Sequence, residues 1–236
     1  MCPLLLPDTS LQVRLKGQLS KPFQTTIGTP QGDGLSPVLF AVYLERALRE
    51  VRTAAPPLPK GDTGLPREAI YADDTDFFST DINYLKQLEA NIPPTIGAYN
   101  LAANANKWER TTLSNASAEW KGVRKLGSLL GVEEDIDKRI GLASAQFNAL
   151  EKLWARPHRI NLSSRLRAFN ALVLPVLLYN ASTWGVCQLA VNKLEVFHRR
   201  LLRRVFGIRW PYTVSNEQIY RLCNSEPLGS TLMRLR

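Results

Sequence analysis

The chain of 236 residues is 44 % hydrophobic and 22 % charged, with a formal net charge of +9. That balance excludes a disordered chain and leaves enough apolar side chains for the core of one large or two small domains. Three isolated cysteines, Cys2, Cys187 and Cys223, and only two histidines, His158 and His198, exclude a zinc knuckle and a disulfide framework and suit a reducing compartment.

Leu4-Leu5-Leu6 lacks a basic start and is too brief for the apolar core of a signal peptide, and Asp8 behind it reads as a loop or cap residue. Next comes Gly28-Thr29-Pro30-Gln31-Gly32-Asp33-Gly34-Leu35-Ser36-Pro37, a backbone that must turn sharply and admit close approach by another group. Ser36 suits a helix N-cap and Pro37 the first helical position, where a missing N–H costs nothing. Phe40, Tyr43, Leu44, Ala47, Leu48 and Val51 then recur at helical spacing and predict one apolar face.

Residues 54–66, with Pro56, Pro57, Pro59 and Pro66, read as a connecting loop that need not be ordered. Beyond it, residues 68–72 and 75–79 have strand character and flank Asp73-Asp74, which predicts a hairpin with two carboxylates at its corner. Paired oxygen donors on a rigid support suit a hard divalent cation such as Mg²⁺, which shares its ligands with substrate phosphates. Phosphoryl transfer is the chemistry to which this pair points. Ile82, Leu85 and Leu88 start a further helix, which Pro93-Pro94 should break before Tyr99.

The second half is helical in pattern and basic. Residues 138–236 carry 16 Lys/Arg against 4 Asp/Glu, whereas residues 1–137 carry 14 against 17. Ile136, Ile140, Ala143, Phe147, Leu150 and Trp154 form one seam suited to helix packing. Asn161 can cap a helix bearing Leu162, Leu166, Phe169 and Leu172 that Pro175 should kink or end. The apolar run at 171–178 is far shorter than the roughly 20 residues that span a bilayer and reads as core. A helix over residues 191–205 aligns Leu194, Phe197, Leu201 and Val205 in one stripe. It sets Arg199, Arg200, Arg203 and Arg204 around the other side, where a nucleic-acid backbone or only water could meet them. His198 near the apolar border suits packing better than catalysis.

Taken in order, the glycine-rich decamer and Tyr71-Ala72-Asp73-Asp74 resemble motifs of the reverse transcriptases of non-LTR (LINE-type) retrotransposons. So do the pattern Leu101, Asn104, Lys107, Glu109 and the turn Lys125-Leu126-Gly127. The helical region around Leu174-Pro175-Val176-Leu177-Leu178-Tyr179 and Phe197-His198-Arg199-Arg200 is similar as well. The resemblance implies an α+β fold: a partial palm with a small antiparallel sheet over residues 1–135, then a basic helical thumb over residues 136–236. It implies RNA-directed DNA synthesis with Mg²⁺ or Mn²⁺ as cofactor. The partners would be an RNA template, a DNA primer and deoxynucleoside triphosphates, with no membrane and an intracellular, nuclear place of action.

By the same resemblance Asp73 and Asp74 are the catalytic metal ligands, with Tyr71 and Ala72 near the primer end and nucleotide. Gln31 and Gly32 would line the template and nucleotide pocket, Lys107 would lie near the departing pyrophosphate, and Arg199, Arg200, Arg203 and Arg204 would hold the backbone. Such a site uses two ions about 3.5–4 Å apart, one at the primer 3′ oxygen and one at the leaving phosphates. The sequence departs from the family in three places. No strand-plus-helix motif with a further Asp precedes Gly28, Pro93-Pro94 interrupts an expected helix, and Trp108 stands where Thr is usual. The polypeptide alone is therefore expected to be inactive unless an upstream segment supplies the missing palm and fingers. The alternative is a non-catalytic nucleic-acid-binding remnant of a retroelement; an intron maturase is an alternative within the polymerase class, and a retroviral enzyme fits less well.

Overall fold

The computed structural model describes residues 9–25, 32–62, 64–155, 159–185 and 187–235. Asp8, Gln31 and His158, which carried expectations above, lie outside them. By contacts the chain divides into two compact units, Met1–Trp108 and Glu109–Arg236. That division falls ahead of the boundary expected between residues 135 and 136, because a short hairpin before the boundary is bonded to the helix after it.

In the first unit, β1 (Thr9–Leu11) pairs antiparallel with β4 (Phe23–Thr25), and β2 (Arg14–Leu15) with β3 (Gln18–Leu19). The tip between β2 and β3 is Lys16-Gly17, both at positive φ, the geometry whose twist suits a two-residue hairpin. Helix α1 (Ser36–Ala54) follows, and Pro37 stands in its first turn as expected. Ser36 is not its cap. Leu35 holds that position without a side-chain bond, and Ser36 is already helical, its hydroxyl donating to Asp33 at 3.5 Å.

Strands β5 (Glu68–Tyr71) and β6 (Asp74–Phe77) make the predicted hairpin, with register Glu68↔Phe77, Ala69↔Asp76, Ile70↔Thr75 and Tyr71↔Asp74. Helix α2 (Ile82–Gly97), capped by Asp81, runs on through Pro93 and Pro94, against expectation. Both prolines face solvent, where the carbonyls they leave unbonded can meet water, while Leu88, Ile92 and Ile96 keep the helix seated on its apolar face. Ala47, Leu48 and Val51 of α1 pack with Leu88 and Ile96 of α2 into a small core, and Phe77 of β6 leans against it. Tyr43 locks the pair by donating to the Tyr99 carbonyl at 2.6 Å.

The second unit opens with the hairpin β7 (Arg124–Lys125) and β8 (Ser128–Leu129), turned at Leu126 and Gly127, both at positive φ. Helices α3 (Val132–Ala149), α4 (Glu151–Ala155), α5 (Leu162–Leu172), α6 (Leu174–Leu177), α7 (Gln188–Phe206), α8 (Asn216–Cys223) and α9 (Leu228–Leu235) follow. The predicted seam from Ile136 to Trp154 is divided between α3 and α4, with a turn at Leu150. Asn161 caps α5 by accepting from the Ser164 amide at 2.8 Å, and α5 ends before Pro175, which lies in the first turn of α6. Together these elements give the expected α+β class, helices with small antiparallel sheets.

Phe147 is the centre of this unit's core, stacked on Trp154 at 4.8 Å and meeting Phe169 edge-on at 6.3 Å. Fully burying each such ring contributes about 1.5–3 kcal/mol. His198 packs between Phe169 and Tyr220, which bears out a packed histidine, and burial lowers its pKa to about 4. Under the β7–β8 turn lies a polar cluster that the sequence did not reveal. Asp135 is 1 % exposed and accepts from the Leu129 amide and the Trp184 indole N–H, each at 3.0 Å. Arg139 donates from Nη2 to the Gly127 carbonyl at 2.8 Å, and Tyr179 donates to the Leu126 carbonyl at 3.0 Å.

Candidate active site

The acidic corner is built by the register of β5 and β6. Tyr71 and Asp74 are directly paired, so the corner is Ala72-Asp73 and not the expected Asp73-Asp74. Asp74 is the first residue of the outgoing strand. Of the two corner residues only Ala72 takes positive φ, 53°, a conformation L side chains seldom adopt.

Paired residues share a face and alternate along a strand. Glu68 and Phe77 therefore lie on the face toward α1, with Ile70 and Thr75, and Ala69, Tyr71, Asp74 and Asp76 lie on the opposite face. Tyr71, Asp73 and Asp74 are exposed, and among the described residues no hydrogen bond or ion pair engages either of these two carboxylates. Asp76 shares the open face with Asp74, which the i, i+2 spacing in Asp74-Thr75-Asp76 could have indicated.

Two anchors hold the base of the hairpin. Glu68 accepts from Arg52 of α1 at 2.5 Å, and Arg52 also donates to both Glu45 carboxylate oxygens at 2.9 Å. Arg52, with Arg49 beside it, brings the Glu45 carboxyl down to about 2. The second anchor is Asp62, in the segment read as a loop with no required order. Its carboxylate is buried and accepts from the Ser79 hydroxyl at 2.5 Å, the Thr80 amide at 2.7 Å and the Thr80 hydroxyl at 2.6 Å. The Ser79 and Thr80 bonds hold its pKa below the ordinary carboxylate range. A buried acid with three donors is costly to break, so this segment is pinned to the end of β6. Proline and glycine composition hid that, since the donors lie beyond the hairpin in sequence.

The remaining candidates are more dispersed. Gly32 has φ 92°, available to glycine and strained for any other residue, and Gln31 lies outside the described residues. Lys107 ends a single turn, Ala105–Lys107, that Asn104 caps by accepting from the Asn106 amide at 3.2 Å; it is exposed and makes no ion pair with Asp73 or Asp74 among the described residues.

The arginines of α7 do not form one open face. Arg199 pairs with Glu195 at 2.5 Å, Arg203 donates to the Val214 carbonyl at 3.1 Å, and Arg204 lies over the Phe147 ring at 4.6 Å. Arg200 lies over Phe197 at 5.9 Å and is exposed.

The donor set at the corner can be tested against a hard cation. Two exposed carboxylates without protein partners suit Mg²⁺, which keeps waters and substrate phosphates as its other ligands. No group of three or more His, Cys, Asp or Glu among the described residues could hold an ion. The pair thus fits as part of a ligand set and does not complete one.

An α+β chain that offers adjacent carboxylates from a hairpin is similar to proteins of the polymerase class. The family model for reverse transcriptase (RNA-dependent DNA polymerase) matches residues 2–136. The chain belongs to the reverse transcriptase family, and the expected non-LTR kinship stands with it. It is 24 % identical over 212 residues, 78 % of this chain, to the RNA-directed DNA polymerase from mobile element jockey of Drosophila funebris. It is 21 % identical over 230 residues, 87 % of this chain, to that of Drosophila melanogaster. The match spans 22 % and 24 % of the length of these relatives.

Proposed function

We propose that this polypeptide carries the metal-binding hairpin and the basic helical part of an RNA-directed DNA polymerase of a non-LTR retrotransposon. The observation that carries the reading is the pairing of Tyr71 with Asp74, which sets Asp73 in the corner and Asp74 at the start of β6, two exposed neighbouring carboxylates on a hairpin within the family match. A divalent cation bound there would neutralise charge at the phosphates being exchanged. Asp73 holds it with Asp74 beside it, and Tyr71 on the same face borders the primer end and nucleotide. Gln31 and Gly32 contribute to the template and nucleotide pocket, and Lys107 approaches the departing pyrophosphate. The Arg52–Glu68 pair and Asp62 keep the base of the hairpin from rotating.

A two-ion site needs a further facing acid to hold both cations against their repulsion, and none stands with the pair among the described residues. We infer that the isolated polypeptide copies no template and that the acid comes from a segment outside it. RNA template, DNA primer and deoxynucleoside triphosphates are the partners of the assembled enzyme, acting in the nucleus, and Arg200 with Arg204 are the α7 cations best exposed to a nucleic-acid backbone. The second reading, a nucleic-acid-binding remnant, is favoured by the same missing acid.

The test has two readouts. Mn²⁺ binding followed by electron paramagnetic resonance should be weak in the wild type and lost in Asp73→Asn, whereas equal binding in both sinks the site. Template-dependent incorporation should be absent; incorporation that disappears on Asp73→Ala keeps the site and overturns the inactivity.

A further inference from the structure

The loop between α7 and α8 is anchored at both ends and bare in the middle. Gly207, at φ 73°, caps α7, and the Ile208 amide donates back to the Arg203 carbonyl at 2.9 Å. Ile208 and Val214 pack against the core, and Arg203 donates to the Val214 carbonyl at 3.1 Å and to the Asn216 side chain at 2.9 Å. Between these anchors the Tyr212 amide donates to the Arg209 carbonyl at 3.0 Å and closes a four-residue turn. The unit's own packing therefore supplies the order of this turn before any ligand arrives.

What the turn displays is unusual. Trp210 is 91 % exposed, the most exposed large apolar side chain among the described residues, and Tyr212 is 79 % exposed. Arg209 beside them is exposed, and among the described residues no hydrogen bond or ion pair involves these three side chains. Leaving an indole in water forgoes a large burial gain, so a displayed pair of aromatic rings points to a partner. Arg199 is paired with Glu195 and Arg203 is bonded to Val214 and Asn216, but Arg200, Arg204 and Arg209 are exposed, and these open cations favour an anionic partner. Rings stack on the π-faces of bases whatever their sequence, and a guanidinium takes a phosphate, so aromatics set among arginines match a single-stranded nucleic acid. A bilayer fits less well, because no exposed Leu, Ile, Val or Phe accompanies the rings on the turn to enter hydrocarbon.

We propose that Arg209, Trp210 and Tyr212 form a stacking platform for single-stranded nucleic acid, with bases on Trp210 and Tyr212 and a phosphate at Arg209. This deepens the polymerase reading and rests on it for the class of ligand.

The experiment is fluorescence anisotropy with the full chain and short labelled oligonucleotides, single-stranded and duplex, over a range of salt. Trp210→Ala should weaken single-strand affinity about 5- to 150-fold, as loss of one stacked base does, and leave duplex affinity within about twofold. Trp210→Phe should recover most of the loss and Trp210→Leu should not. Arg209→Ala should reduce the salt slope by about 0.7, one backbone contact on a single strand. At this exposure the substitutions should leave the thermal melt by circular dichroism unmoved.

Wild-type binding that survives Trp210→Ala unchanged overturns the platform alone. Equal losses on single strand and duplex, or a Leu variant as good as Phe, also overturn stacking. Loss of binding to phosphatidylserine vesicles with oligonucleotide affinity intact assigns the turn to a membrane instead. A wild-type chain that binds no nucleic acid sinks the platform and the polymerase reading together.

Discussion

The acidic hairpin and the basic helical unit are built in opposite ways. Around the hairpin, the first unit's buried apolar residues among those described are Ala47, Leu48, Val51, Leu88 and Ile96, while Leu15, Leu19 and Ile70 stand in water. Order there depends on polar ties, Arg52 to Glu68 and Asp62 to Ser79 and Thr80. The second unit buries Phe147, Trp154, Phe169, Leu194, Leu201 and many more around one centre, and even its polar groups Asp135, Arg139 and Arg165 are buried. Side chains meant for ligands must stay open and rigid, and a small core with polar ties does this at some cost in stability. A framework that carries exposed arginines and aromatic rings can instead draw its order from apolar burial.

The largest expected effect tests the framework. Phe147→Ala should destabilise the second unit by about 3–5 kcal/mol, since the site is walled by Trp154, Phe169 and Arg204 and cannot collapse freely. Denaturant unfolding followed by tryptophan fluorescence measures it, and a loss under about 1 kcal/mol would refute a single centre.

Second in size is a pH effect confined to the same unit. His198 is buried and neutral, its pKa lowered to about 4 by burial and then by Arg199. As pH falls from 6.5 to 4 the unfolded chain binds the proton and the folded one does not. Stability should fall by on the order of 3 kcal/mol across that window and level off below it. His198→Phe should remove this part of the acid limb, and an identical pH profile in the variant would show the histidine to be accessible.

Smaller effects belong to the hairpin. Arg52→Ala strips the partner from Glu68, leaves Glu45 with Arg49 alone, and should cost about 1–2 kcal/mol, seen as faster amide exchange in β5 and β6 with α3 and α7 unchanged. Uniform exchange across both units would deny the contrast between them. Ala72→Gly relieves a left-handed alanine and should stabilise the first unit by about 1 kcal/mol, the smallest change and the only gain. A loss of stability would mean that the Ala72 side chain makes contacts worth more than its strain.

Much of this molecule was legible from local patterns. Apolar periodicity located α1, α3, α5 and α7, the Asn161 cap began α5, and strand chemistry around Asp73 and Asp74 marked the hairpin. Errors arose where a local rule met a tertiary partner. Pro93 and Pro94 did not break α2, because its Leu88, Ile92 and Ile96 face was already docked. The proline-rich loop was ordered because Asp62 found donors past the hairpin, and α7 arginines expected to face outward turned to Glu195, Val214 and Phe147. No local pattern marked Asp135 and Arg139 for burial; the β7–β8 turn closes over them.

The sequence by itself determined the family, the α+β class and the presence of two neighbouring acids on a hairpin, since these rest on residue identity, spacing and alternation. Only the tertiary structure decided that the corner is Ala72-Asp73, that Asp62 and Arg52 secure it, and that Trp210 and Tyr212 stand in water while His198 does not. Register, burial and pairing depend on residues far apart in the chain that meet only when it folds.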